Sequence, residues 1–221
     1  MFRRLITWNA QGGSLSDILK RNLIIGMINQ SLSQHRGLPV ICIQEAGTVQ
    51  TQREDFTRQA SYDYKTFPPY ERIASRCNMG ILTPRGTRDR YDVYPCSATQ
   101  YNRPLVCVNV NSSLIIANIH ATATHNVAIH DILGAIETLQ SFNLPWILIG
   151  DMNYNSHTLR TYFINANIFT RRVIAPGRPT HIHGGRYDYA VQDTYVFPQL
   201  QLSGIMSYTA GSDHHPVIFD T

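Results

Sequence analysis

Lysine is nearly absent from this chain: of 19 basic residues only Lys20 and Lys65 are lysine, and the rest are arginine. Charged residues of both signs make up only 15%. That is too few for a coiled coil or for a disordered, self-repelling chain. Four cysteines (Cys42, Cys77, Cys96, Cys107) are too sparse for a disulfide scaffold in 221 residues, and no C-x-x-C pair suggests a zinc site. Cys42 and Cys107 lie in apolar runs and read as buried thiols, while a Cys77–Cys96 bridge stays open. No apolar stretch reaches the roughly 18 residues of a membrane-spanning helix. No repeat or low-complexity linker divides the chain, so one domain over residues 1–221 is expected. No leader-type apolar region precedes Leu5, which suits a chain made without one or a mature form.

What is present points toward phosphate. The net charge is +4 and the pI about 8.9. Arginine grips phosphate with a planar fork of donors, so an arginine-dominated basic set suits a phosphate-bearing partner. A surface habit of composition is the competing reading.

Hydrophobic patterning gives strands with a few interleaved helices. Leu5–Trp8, Val40–Ile43, Met79–Leu82, Leu105–Val110, Leu114–Ile119, Trp146–Ile149, Tyr189–Val191 and Val217–Phe219 read as strands. Asn111-Ser112-Ser113 joins two of them as a hairpin. Ile18–Ser33 reads as a helix with Ile18, Leu19, Leu23, Met27, Ile28 and Leu32 as its stripe, ended by Gly37-Leu38-Pro39. Ala128–Phe142 reads as a second helix, and the polar stretch Gln50–Thr66 as loop with some helix. Hairpins among the strands argue for an α+β arrangement of two mixed sheets packed face to face with helices outside, not a doubly wound parallel sheet.

Buried strands repeatedly end in residues capable of metal or phosphate chemistry: Trp8-Asn9, Ile43-Gln44-Glu45, Ile119-His120, Ile149-Gly150-Asp151-Met152-Asn153 and Tyr187-Asp188-Tyr189. Ser212-Asp213-His214-His215-Pro216 precedes the last strand. One polar strand end means little. Six clusters rich in carboxylates, amides and imidazoles suit phosphodiester cleavage. A hard divalent ion wants carboxylate and amide oxygens, imidazoles move protons near neutral pH, and donors steady the phosphoryl oxygens.

These segments resemble the endonuclease/exonuclease/phosphatase superfamily of pancreatic-type deoxyribonuclease, and within it the catalytic B subunits of cytolethal distending toxins. The resemblance runs in order through Trp8–Gly12, Gln44–Gly47, Ser75–Ile81, Asn102–Pro104, Ile119–Ala121, Trp146–Asn153, Asp188–Val191 and Ser212–Val217. Gly-Asp-x-Asn and Ser-Asp-His mark the superfamily. Gln-Glu-Ala-Gly, the early Trp-Asn-x-Gln-Gly and the stretch Ala175-Pro176 to Thr180-His181 point to the toxin subunits.

The resemblance implies a DNase I-like α/β/β/α sandwich of two mixed, mostly antiparallel sheets. It implies a Mg²⁺-dependent (or Mn²⁺- or Ca²⁺-dependent) endonuclease acting on double-stranded DNA. It also implies delivery subunits as partners, secretion, and action in a host nucleus. By position, Glu45 binds the metal with Asn9 and Asp213 beside it, and Asp151 and Asn153 position water or phosphate. His120 and His214 form the acid/base pair, Asp188 orients His214, and Arg76, Asn78 and Arg103 contact phosphate. The carboxylate behind His120 is not identified.

The chain departs from that pattern at His215, where an aromatic ring is usual, and a packing role is expected. The connections Gly47–Arg76 and Asp188–Asp213 are shorter than usual. His181 reads as structural, Trp8 and Trp146 as core aromatics, and His35, His125, His130, His157 and His183 as surface residues. Two other functions compete: a phosphoinositide phosphatase on the same site, and a non-catalytic binding component that kept the fold.

Overall fold

The computed structural model describes residues 3–12, 17–47, 62–67, 78–85, 90–95, 103–110, 112–196 and 198–221. They form twelve strands and three helices: β1 (Arg4–Asn9), α1 (Ile18–Ser33), β2 (Val40–Gln44), β3 (Tyr62–Phe67), β4 (Met79–Pro84), β5 (Arg90–Pro95), β6 (Pro104–Val110), β7 (Leu114–His120), α2 (His125–Gln140), β8 (Trp146–Asp151), α3 (Ser156–Asn165), β9 (Arg171–Ile174), β10 (Asp188–Asp193), β11 (Gln201–Ile205) and β12 (Val217–Asp220).

The strands make two six-stranded sheets, ordered β11-β12-β1-β2-β4-β3 and β5-β6-β7-β8-β10-β9. Each holds one parallel pair, β1 with β2 and β7 with β8, among antiparallel neighbours.

Side-chain alternation sorts the apolar residues into three cores. Leu5 and Cys42 face inward with Met79, Val106, Ile147, Ile149 and Phe219, filling the space between the sheets. Ile6, Trp8, Ile41 and Ile43 point the other way, onto Leu23, Ile24, Met27 and Ile28 of α1. Trp146 and Leu148 face out from the second sheet onto Ile132, Ile136 and Leu139 of α2 and Leu159 and Phe163 of α3. The result is a four-layer α/β/β/α sandwich, in which each inner strand is apolar on both faces.

One polar residue crosses the central core. Asn118 of β7 donates to the carbonyls of Ile43 (3.1 Å) and Gly80 (3.0 Å) in the facing sheet and accepts from Gln44 Nε2 at 2.6 Å. A buried amide satisfied on both ends fixes how one sheet sits on the other.

Some expectations are corrected. Residues 62–66, placed in a loop-and-helix stretch, belong to strand β3 (Tyr62–Phe67), and the rest of that stretch lies outside the described residues. The buried stripe of α1 is Leu23, Ile24, Met27 and Ile28, whereas Ile18, Leu19 and Leu32 are exposed. Asp17 caps that helix by accepting from the backbone N–H of Leu19 and Lys20. The second helix begins at His125 and ends at Gln140. Strands β5, β9 and β11 and helix α3 had no counterpart in the sequence reading. Cys42 and Cys107 are buried free thiols; Cys77 and Cys96 lie outside the described residues.

Candidate active site

Strand register lines up the chemistry. His120 ends β7 opposite Asp151 at the end of β8, and Asp188 at the start of β10 pairs with the same Asp151. Directly paired residues project from one face of a sheet, so these three side chains form a row. In the other sheet Asn9 ends β1 opposite Gln44 of β2, and Glu45 follows at once. Gly150, with φ +151°, lets β8 run against β7; a Cβ there would collide with the carbonyl of Ile119.

Short-range bonds hold the loops in place. Glu45 has φ +49°, and its carbonyl accepts from Gly12 N at 2.5 Å. Lys20 Nζ donates to the carbonyls of Ala10 (2.5 Å) and Gly12 (2.8 Å), fixing the turn after β1. Burial lowers the Lys20 pKa against the pull of Asp17, Glu45 and Asp213. Ser212 Oγ donates to the Asn9 carbonyl (2.6 Å) and accepts from His214 N (3.1 Å), tying the segment before β12 to β1.

Two imidazoles meet in this rim. His214 Nδ1 donates to Asp188 Oδ2 at 2.8 Å, which leaves Nε2 facing Asp213 Oδ1 at 3.5 Å and Asp151 Oδ2 at 3.7 Å. Burial by itself would lower the His214 pKa, but Asp188, Asp151 and Asp213 outweigh it and raise the pKa to about 9. His120 Nε2 lies 3.6 Å from Asp151 Oδ2 and 3.8 Å from Glu45 Oε1. Both contacts fall on Nε2, the nitrogen that faces the site, so neither carboxylate is the partner behind His120 that the sequence left open. Asp151 Oδ2 is the hub, since it also accepts from Asn9 Nδ2 at 3.0 Å across the two sheets.

The remaining candidates divide. Asn153 donates its side-chain amide to the Ala121 carbonyl (2.8 Å), and its backbone N–H to Asp151 Oδ1 (2.9 Å). Arg103 Nη1 donates to that same Ala121 carbonyl at 2.8 Å, so both brace the chain just beyond His120. Asn78 donates to the Gly47 carbonyl (3.0 Å) and braces the turn after Glu45. Arg76 lies outside the described residues. His215 turns away, with Nδ1 3.1 Å from the Met206 carbonyl, and packs as expected. Trp8 is buried with its Nε1 donating to the His214 carbonyl (3.2 Å). His181 stands in the site although it read as structural: its Nε2 is 3.3 Å from Asp213 Oδ2. It ends the Ala175–His181 stretch that resembles the toxin subunits, but a lone bridge to His214 is what brings its ring into the site.

The donor chemistry fits a hard cation. Glu45, Asp151, Asp188 and Asp213 crowd two imidazoles, and the buried oxygens Asp188 Oδ1 and Asp213 Oδ1 accept no hydrogen bond among the described residues. Asp151 and Asp188 place carboxylate oxygens within 4.8 Å of each other. Clustered carboxylates in a partly dry rim repel one another unless a cation lies among them.

Carboxylates and imidazoles gather where the two stacked sheets end, an arrangement suited to phosphate-ester hydrolysis, and the chain belongs to the Endonuclease/Exonuclease/phosphatase family, whose pattern matches residues 6–214. Within that family it is similar to a Salmonella typhi homolog of the B component of cytolethal distending toxin. The two are 25% identical over 244 residues, spanning 98% of this chain and 88% of the relative. The fold is shared with the cytolethal distending toxin of Actinobacillus actinomycetemcomitans (TM-score 0.72, 23% identity, 99% of this chain and 97% of that one). It is shared equally with the toxin of Haemophilus ducreyi (TM-score 0.72, 24% identity, the same coverage).

Proposed function

We propose that the chain is a divalent-metal-dependent endonuclease that hydrolyses phosphodiesters in double-stranded DNA, as the catalytic subunit of a toxin resembling the cytolethal distending toxins. One observation carries the chemistry: the carboxylate of Asp151 lies between two imidazoles, one of which Asp188 holds by its far nitrogen. Hydrolysis needs a group to take the proton lost by the attacking water and another to protonate the leaving oxygen as its bond to phosphorus breaks. His214, kept cationic at neutral pH by its carboxylates, is the donor. His120 takes the other role, and Asp151 with Asn153 positions the water and phosphate.

Glu45 would hold the metal, with the Asn9 amide oxygen and Asp213 beside it; when bound, Mg²⁺, Mn²⁺ or Ca²⁺ neutralises charge on the phosphoryl oxygen. Arg103, Asn78 and Arg76 are the candidate contacts to the phosphate backbone. The arginine-dominated basic set suits such a polyanion and predicts binding that weakens steeply with salt. Similarity to a toxin component adds delivery subunits as partners and a secreted protein acting in the host nucleus to the same reading.

The test is nicking of supercoiled plasmid with Mg²⁺ by wild type and His120→Ala. Nicking by the wild type that the variant loses is expected; plasmid left intact by both overturns the reading. Rapid phosphate release from an inositol polyphosphate without nicking would put a phosphoinositide phosphatase in its place. Introduced into nuclei of cultured cells, the wild type should break DNA and Asp151→Asn should not.

A further inference from the structure

We infer that His181 is a positioning residue of this site, holding Asp213 in place between two imidazoles. The polarity of the ring carries the argument. The backbone N–H of His183 donates to His181 Nδ1 at 3.1 Å, so Nδ1 is the bare nitrogen of the neutral ring and the proton sits on Nε2. That protonated nitrogen faces Asp213 Oδ2 at 3.3 Å, while the other oxygen of Asp213 faces His214 Nε2 at 3.5 Å. Asp213 therefore lies within ion-pair distance of the two rings, which stand nearly perpendicular with centroids 4.7 Å apart.

The backbone locks this arrangement. His181 and His214 form an antiparallel bridge, Ile182 N donates to the Asp213 carbonyl at 2.9 Å, and His215 N donates to the Thr180 carbonyl at 2.7 Å. Gly184 N closes the turn onto the His181 carbonyl at 2.9 Å, which sets the His183 N–H behind the ring. On the other side Asp213 N donates to Gln11 Oε1 at 3.1 Å. Asp213 is partly exposed, and without His181 its Oδ2 faces water and the carboxylate is free to swing from His214. The same tautomer argues against a metal on His181 Nε2, because a metal-binding imidazole offers a bare nitrogen to the ion and donates from its other one.

The activity half of the test rests on the nuclease reading above; the spectroscopic half does not. In plasmid nicking, His181→Ala should lower kcat about 10–100-fold, the scale of outer partners that orient a reacting group, with KM for DNA unchanged. His181→Gln, which can point an amide N–H at Asp213, should recover most of the loss. Combined with Asp213→Asn, His181→Ala should add no further loss, since both act through one carboxylate. Independently, ¹⁵N NMR of the substrate-free protein should find His181 Nδ1 bare and Nε2 protonated. Full kcat in His181→Ala, an effect confined to KM, additive losses in the double variant, or a bare Nε2 each overturn the proposal. If the wild type cleaves no DNA, the nuclease reading fails while the ring nitrogens still decide the positioning role.

Discussion

Asp188 Oδ2 and His214 Nδ1 meet at 2.8 Å across 26 positions of sequence, and this contact decides which nitrogen of His214 works. With Nδ1 spent on a buried carboxylate, only Nε2 can reach the rim.

Asp188→Asn removes the charge that does most to hold the His214 proton. The His214 pKa should fall from about 9 toward the ordinary histidine range, as read by an NMR titration of metal-free protein. Plasmid nicking should drop about 10²–10⁴-fold, the usual scale for a disabled acid/base group. An unmoved titration would remove Asp188 from the role of orienter.

The same shift links stability to pH. The folded-state pKa of His214, about 9, lies above that of a histidine in the unfolded chain, so the native state binds the proton more tightly. This contribution is present in full below about pH 6.5, the unfolded value. It is lost as pH rises through the folded-state value of about 9. A difference this large corresponds to about 3 kcal/mol. Urea unfolding of the metal-free protein should lose stability over that window, and His214→Gln should flatten the loss.

Glu45→Gln keeps the shape of the side chain and removes its charge beside His120. The Mg²⁺ concentration for half-maximal nicking should rise, with activity partly restored at high Mg²⁺. An unchanged Mg²⁺ titration would take Glu45 out of the metal's surroundings.

Asn118→Ala strips a polar link between the sheets, removing its bonds to the carbonyls of Ile43 and Gly80 and the acceptor of Gln44 Nε2. Each buried group left unpaired costs about 1–3 kcal/mol. Urea unfolding should register the loss, and nicking should fall as well because Ile43 leads directly to Glu45.

The inner strands were legible because they are apolar on both faces: Trp146–Ile149 and Val40–Ile43 are continuous buried runs. The strands missed or misread were β3, β5, β9 and β11, and these are the four sheet edges. An edge strand packs against one neighbour only, so it carries less of the apolar signal; Gln201–Leu202-Ser203 of β11 are all exposed. Helix α3 escaped for a similar reason, since its buried apolar stripe is only Leu159 and Phe163. In the site, residues at the ends of inner strands stood out from their apolar runs. His181 did not, because it follows no apolar run and reaches Asp213 through a single backbone bridge.

By itself the sequence determined that carboxylates, amides and imidazoles stand at the ends of buried strands, since hydrophobic periodicity marks where each strand stops. The resemblance already paired Asp188 with His214, but which carboxylates face His120 and His181 was decided only by the tertiary structure. Asp188–His214, Asp151–His120 and Asp213–His181 depend on strand register, on the stacking of the two sheets and on one stray bridge. Charge contacts fall off over a few ångströms, so side-chain pairing follows from distances that no spacing along the chain encodes.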